Sequence, residues 1–232
     1  MKTSLSAVAF ALSMASAPVF ADFAVNIGAI GVYPDDSSSS LSVIEQVAGL
    51  PAGSTQVAVD SNLQLGITLD YMINKNWTVE LIAATPFSHD ISVKGSAIHG
   101  LDIGKTKHLP PTLLLQYHFN TGSDAVSPFV GLGVNYTRFF DEEVSGELKD
   151  TLGALGVVGA GDKADLSLSD SWGLALQAGV NVQFTERLGL HAMVSKMDID
   201  TTGRVKVNGN TVQSVEVDID PLVAMIGLRI KL

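Results

Sequence analysis

The chain has 232 residues, 46% of them hydrophobic and 16% charged, with 14 basic against 24 acidic residues and a net charge of −10. That length suits one domain of ~200 residues or two small ones, and the low charge with high apolar content excludes a disordered chain. The acidic balance excludes a nucleic-acid binder, which needs a basic surface to displace counterions from phosphates. The absence of cysteine excludes a disulfide scaffold, a thiolate zinc site and a cysteine nucleophile.

Lys2 precedes the uncharged apolar stretch Leu5 to Met14, and Val19-Phe20-Ala21 places small residues where a signal peptidase reads. The pattern is a secretory signal over residues 1–21, cleaved before Asp22; the apolar core is shorter than the ~20 residues a spanning helix needs. Loss of Lys2 takes the net charge from −10 to −11 and leaves 22–232 as the folded unit.

From there the period is two. Phe23, Val25, Ile27 and Ala29 alternate with Ala24, Asn26, Gly28 and Ile30. Leu63 to Tyr71, Trp77 to Phe87, Leu113 to Phe119 and Val130 to Thr137 continue the alternation, the last with Gly131, Gly133 and Asn135 on its small, polar side. The longest run, Leu166 to Phe184, sets leucine, valine and Trp172 against serine, glycine, glutamine and asparagine, and Leu188 to Ser195 and Leu222 to Leu232 complete eight strands. A helix would smear these two sets around its circumference, whereas a strand gives each its own face.

The connectors also alternate. Asn74-Lys75-Asn76, Asn120 to Ser127 and Thr185-Glu186-Arg187 are short; Tyr33 to Asp60, Ser88 to Lys107, Phe140 to Asp165 and Asp200 to Val217 are long. Short turns at one end and long loops at the other predict an all-β fold, an eight-stranded antiparallel transmembrane β-barrel with short periplasmic turns and long extracellular loops. Trp77, Tyr117, Phe119, Phe184, Phe87 and Tyr136 sit at strand ends, as interfacial girdles require. The competing reading is a soluble lipocalin-like barrel with its apolar face inward, but the glycine-rich polar face makes a poor solvent surface and a good crowded lumen. Leu148 to Val158 suggests one or two helical turns within the third long loop.

An ordered set of short strings then stands out. It comprises Ala84-Thr85-Pro86-Phe87, His108-Leu109-Pro110-Pro111-Thr112, Asn135-Tyr136-Thr137, Phe139-Phe140-Asp141, Asp170-Ser171-Trp172-Gly173, Met197 to Thr202, and Asp220-Pro221. Together they resemble the outer membrane protein W (OmpW) family over nearly the whole mature chain. The resemblance implies a Gram-negative outer-membrane barrel of eight strands with a hydrophobic interior channel, associated with uptake of small hydrophobic compounds. Two positions depart from the family: the chain closes on Leu232 rather than an aromatic residue, and Leu222 stands where a tryptophan is usual.

Strand direction gives each inward residue a height. Ile30, Val32, Ile82, Ala84, Leu114, Phe139, Met193, Val223 and Met225 form an apolar lumen towards the outer end. Asp70, Glu80, His118, His191, Arg229 and Lys231 form a charged plug towards the periplasm, with Asp70 and Glu80 paired to Arg229 and Lys231. The functional reading is an apolar cup open outward and closed below, where an alkane-like solute gains ~0.8 kcal/mol per buried CH₂; the bland reading is a solid barrel core. Pro86, Pro110 and Pro111 meet at the outer ends of strands three and four, and proline removes ladder hydrogen bonds. They mark either a break in the wall giving lateral exit into the bilayer, or simple strand ends above the membrane.

The partners that follow are outer-membrane lipids, lipopolysaccharide and small hydrophobic molecules. Asp35-Asp36 and Asp141-Glu142-Glu143 are solvated loop acids, with divalent ions shared with lipopolysaccharide as the sharper alternative. The five histidines lack metal-ligand spacing, and no G-x-S-x-G elbow or other catalytic constellation stands out, so neither cofactor nor enzymatic activity is expected. The alternative function is a structural or receptor barrel whose loops bind phage, bacteriocin or host surfaces.

Overall fold

The computed structural model describes residues 23–123, 125–159 and 161–232; the expected leader, 1–21, lies outside the described residues. In chain order the elements begin with β1 (Phe23–Tyr33), β2 (Ser37–Ser38), α1 (Ser42–Ala48), β3 (Gln56–Val59), β4 (Asn62–Met72), β5 (Trp77–Ala84), β6 (Phe87–Lys94) and β7 (Asp102–Leu109). They continue with β8 (Thr112–His118), β9 (Val126–Val144), α2 (Gly146–Ala154), β10 (Ala164–Leu168), β11 (Ser171–Gln183), β12 (Leu188–Met197), β13 (Asp200–Val207), β14 (Asn210–Asp218) and β15 (Leu222–Lys231).

Eight of these strands close into a barrel. The hydrogen-bonded order β11-β12-β15-β1-β4-β5-β8-β9 returns to β11 through the β9–β11 pairing, and every neighbour is antiparallel. Closure leaves no free sheet edge around the barrel, so along the paired registers the backbone polar groups find their partners in neighbouring strands. The short connectors are local turns. Asn74 Oδ1 accepts from the backbone N–H groups of Asn76 at 2.9 Å and Trp77 at 3.0 Å, and Thr185 Oγ1 accepts from Leu188 N at 3.0 Å.

The two strand faces separate as the period of two requires. Leu65, Ile67, Leu115, Leu132, Leu174, Leu176, Ile226 and Leu228 point outward and are exposed, while Asn26, Thr68, Asp70, Glu80, Gln116 and Arg229 point inward and are buried. This arrangement inverts a soluble barrel and suits a hydrocarbon surround. Aromatic clusters rim the wall: Phe23 with Tyr71, and Trp77–Tyr117–Phe119, at the turn end, with Tyr136 against Trp172 (ring centroids 4.6 Å apart) at the loop end. Inside, the bore admits little backbone volume. A Cβ on Gly28 would meet the backbone oxygen of Ile226 at 2.0 Å, and one on Gly179 would meet the Phe129 ring at 2.3 Å.

The long loops carry structure of their own. Strands β3, β6 and β7 continue the wall upward on the far end of β9, and β10-β13-β14-β2 form a separate four-stranded sheet. Two of the expected continuous strands break at this level. The run Leu166 to Phe184 divides at Ser169-Asp170, and the run Trp77 to Phe87 divides at Thr85-Pro86. Beyond each break the apolar residues face inward: Phe87 is fully buried rather than part of a girdle, and Leu166 and Leu168 turn towards the interior while Trp172 faces out. The physical reason is the change of surroundings, because above the girdle the outer face meets water. The third-loop helix lies at Gly146–Ala154, capped by Ser145, whose Oγ accepts from Leu148 N at 2.9 Å.

Candidate functional site

At the turn end the bore is filled by two polar networks. Arg229 Nη1 donates to Asp70 Oδ2 and to Asn26 Oδ1 (3.0 Å), while Asn26 Nδ2 donates to Thr68 Oγ1 (2.6 Å) and Asp70 Oδ2 (3.2 Å). Glu80 belongs to the second network. Its Oε2 accepts from Gln177 Nε2 at 2.6 Å, Gln177 Oε1 accepts from Gln116 Nε2 at 2.8 Å, and Gln116 Oε1 accepts from His118 Nε2 at 3.1 Å. His191 donates through Nδ1 to Asn181 Oδ1 at 2.8 Å and holds Nε2 3.6 Å from Glu80 Oε1, beyond hydrogen-bond reach.

The expected pairing is therefore half present. Asp70 meets Arg229, but Glu80 faces amides and His191, because Arg229 is already engaged one strand pair away. Lys231 lies lower, half-buried, on a polar vestibule at the turn-end mouth lined also by His118, Asn181, Gln183 and Arg229.

Above the floor the apolar residues pack against one another. Ile30, Ile82, Leu114, Met193, Val223 and Met225 are all buried in one hydrophobic cluster, with Ala84 half-buried beside it. Registry places them at common heights, with Ile30 opposite Met225, Met225 opposite Met193, and Val32 opposite Val223. Met193 and Met225 also border a shallow groove on the outer wall with Ala29, Ala178, Ala192 and Ala224.

The apolar cavity lies higher than the sequence placed it. Val32 and Phe139 are the members of the expected lumen set that line it; the remaining wall comes from the loop strands. Val57, Ile91 and Ile103 contribute from β3, β6 and β7, Leu166 and Leu168 from β10, and Val205, Val215 and Val217 from β13 and β14, with Leu41, Ile199 and Ile219 closing the sides. Pro34 and Pro221 flank it where β1 meets β15. The cavity volume is about 60 Å³, against ~10–15 Å³ for one water on the same measure, so it suits a small molecule rather than a long chain. The sequence reading places Leu41, Val57, Ile91, Ile103, Val205, Val215 and Val217 in the long loops, although Val205 and Val207, and Val215, Val217 and Ile219, carry the same period-two signal as the wall.

His89 and His108 are the titratable residues of that lining. Their Nε2 atoms lie 2.9 Å apart, and His89 Nδ1 lies 2.5 Å from the backbone oxygen of Asp60. Phe87 stacks on His108 at 5.3 Å between ring centroids and Phe139 packs on it at 5.7 Å. Burial, with the neighbouring His89 adding to it, pushes the His108 pKa down to about 3, so its imidazole is neutral at physiological pH.

Directly below this group the wall loses its ladder. Pairing between β5 and β8 ends at Ile82↔Thr112, and pairing between β6 and β7 begins at Phe87↔His108. Residues 83–86 thus face 109–111 across a seam with no paired register, bordered by Pro86 (exposed), Pro110 (buried) and Pro111 (exposed). Behind it two of the quoted strings meet in a buried polar trio: Asn135 Nδ2 donates to Thr112 Oγ1 at 2.9 Å and Thr137 Oγ1 donates to Asn135 Oδ1 at 2.7 Å.

Comparison with known proteins agrees with this architecture. The sequence model of the OmpW family matches residues 20–232. Outer membrane protein W of Vibrio cholerae is 41% identical over 231 residues, 97% of each chain. The crystal structure of the outer membrane protein OprG from Pseudomonas aeruginosa superposes with a TM-score of 0.76 at 40% identity, covering 91% of this chain and 96% of that one. A shorter stretch of 92 residues, 40% of this chain and 42% of the other, is 35% identical to the dibenzothiophene metabolism operon protein PahQ of Pseudomonas aeruginosa.

Proposed function

Since the chain belongs to the OmpW family of outer-membrane β-barrels, we propose that it takes up small hydrophobic molecules from outside the cell and passes them sideways into the bilayer. The observation that carries the reading is the apolar cavity walled by the extracellular strands, with a packed apolar core and a hydrogen-bonded polar floor beneath it. An apolar solute gains free energy by leaving water for such a cavity, at roughly 25 cal/mol per Å² buried, whereas a sugar would lose its hydration there.

The floor then dictates the route. Passage down the bore means breaking the Arg229–Asp70 pair and the Glu80–Gln177–Gln116 chain, which costs several kcal/mol for the buried charges alone. The unpaired seam at Pro86, Pro110 and Pro111 lies beside the cavity base at His108 and Phe139, and opening it breaks no ladder bond. Ile30, Ile82, Ala84, Leu114, Met193, Val223 and Met225 form the packed apolar layer that closes the bore beneath the cavity, so the solute stays above it. A relative named for a dibenzothiophene metabolism operon fits an aromatic hydrophobic cargo. In this reading the protein is a transporter rather than an enzyme, residues 1–21 are a leader removed on export, and 22–232 form the barrel in contact with outer-membrane lipids and lipopolysaccharide.

The test is solute entry into liposomes carrying the refolded protein, comparing a small hydrophobic probe with a small sugar. Accelerated entry of the hydrophobic probe alone supports the proposal. Sugar entry would mean the floor is open and the barrel a porin, and acceleration of neither would leave the loops acting as a receptor surface.

A further inference from the structure

A second apolar surface lies outside the cavity and shares part of its wall. It is a groove on the extracellular extension, lined by Val43 and Val47 from α1, Leu152 and Leu155 from the end of α2, and Val212 and Gln213 from the β13–β14 hairpin. Val43 and Val47 are exposed, Leu155 and Val212 are half-buried, and Leu152 is buried. A depression that keeps apolar side chains against water suits an apolar ligand.

The groove and the cavity meet at Val205 and Gln213, which line both. These two residues lie opposite each other in the β13–β14 ladder. The register shifts beside them, with Lys206 opposite Thr211, so Val212 bulges from β14 and the hairpin bends at this point.

Gln213 also ties α1 to the hairpin. Leu41 at the start of α1 makes no side-chain cap, and Gln213 Oε1 instead accepts from Val43 N at 2.9 Å. The segment carrying α1 holds its own shape without that tether. The Glu45 carboxylate accepts from Gly53 N at 2.8 Å, Thr55 N at 2.9 Å and Thr55 Oγ1 at 2.7 Å, and Leu41 N donates to Thr55 Oγ1 at 3.1 Å. Separating Gln213 from Val43 therefore leaves 41–55 intact, and the freed Val43 N–H lies at an exposed residue, where water can replace the lost acceptor.

We propose that this groove is the outer binding site for small hydrophobic molecules, which rest against α1 and α2 and then pass between Val205 and Gln213 into the cavity when Gln213 releases α1. The inference rests on the proposed uptake of hydrophobic molecules and adds where they first bind and which residue gates their entry. On this path the solute exchanges one apolar wall for the next and does not return to water between them.

The test follows naphthalene entry into liposomes carrying the full mature chain. The protein has no cysteine, so Val47→Cys and Glu216→Cys can each be modified with a sulfonate-bearing methanethiosulfonate before reconstitution. Glu216 is exposed on the outward face of β14, away from the groove lining. Modified Val47→Cys is expected to lose the acceleration and to regain it on addition of a reductant, which shows that the barrel stayed folded. Modified Glu216→Cys should keep the acceleration throughout. Equal rates for the two modified variants, whether both fast or both slow, overturn the entry site while leaving the cavity reading intact. No acceleration by the unmodified wild type overturns the uptake reading itself. Gln213→Leu, which keeps the bulk and removes the tether, should raise the rate by up to roughly fivefold, the worth of one hydrogen bond. An unchanged rate, or a rise that survives modification at Val47→Cys in the double variant, overturns the gate.

Discussion

The membrane wall and the extracellular extension are made of the same material, facing opposite ways. In β11, Leu174 and Leu176 lie on the outside, each about 60% exposed, and the inward partners are glycine, glutamine and alanine. In β14, Val215 and Val217 lie inside, buried, and the outward positions are Ser214, Glu216 and Asp218. Strand geometry supplies two faces in both cases and the surroundings decide which one is apolar. Where lipid gives way to water, the apolar face moves inward and its residues close around a cavity that the crowded bore does not contain.

Four perturbations sharpen that contrast. The largest effect is expected from Asp70→Ala, which strands the buried Arg229 guanidinium and should cost ~3–5 kcal/mol in urea unfolding from lipid vesicles. Next is a pair of arginines: Leu132→Arg, on the lipid face, should cost ~2–4 kcal/mol near the bilayer midplane, whereas Thr202→Arg on the extension should stay within ~0.5 kcal/mol. If both cost the same, the two regions do not differ in surroundings. Third, Val215→Lys should abolish hydrophobic-probe entry into liposomes, while Ser214→Lys, one residue away on the outer face, leaves it unchanged.

The smallest effect is a pH dependence confined to the extension. The His108 pKa is depressed to about 3 from its usual 6.5, so between those values the unfolded form binds the proton that the folded form excludes. Stability of the extension is then constant above pH 6.5 and falls as the pH drops through the window towards 3. Hydrogen exchange of β6 and β7 amides should accelerate on acidification, and His108→Phe should remove that contribution. Glu45, whose carboxylate accepts from Thr55 Oγ1 at 2.7 Å and from the backbone N–H groups of Gly53 and Thr55, is held below its usual value of 4.5, chiefly by the Thr55 hydroxyl. It destabilises the loop after α1 in the same direction at lower pH.

Much of the wall was legible from the sequence, because alternation, turn residues and connector lengths are local signals. The eight barrel strands, their inward and outward sets and the short turns all follow from them. The two breaks were less legible. Thr85-Pro86 and Ser169-Asp170 each interrupt a pattern that reads as continuous, since alternation records that two faces differ and not what each one meets. The cavity was missed for that reason: Leu166 and Leu168 share a parity with Trp172 in the sequence but turn inward once the strand has left the lipid. Long-range pairing was the least legible. Choosing Gln177 over a cation as the partner of Glu80 depends on the barrel registry, and the contact between His89 and His108 depends on how β6 pairs with β7.

The most direct test of where a hydrophobic solute binds is a set of intermolecular NOEs between a small aliphatic probe and methyl-labelled protein in nanodiscs. The account predicts contacts to Ile91, Ile103, Val215 and Val217, and none to Ile82 or Leu114. Contacts to Ile82 and Leu114 without those in the extension would contradict it, placing the solute in the bore of the barrel.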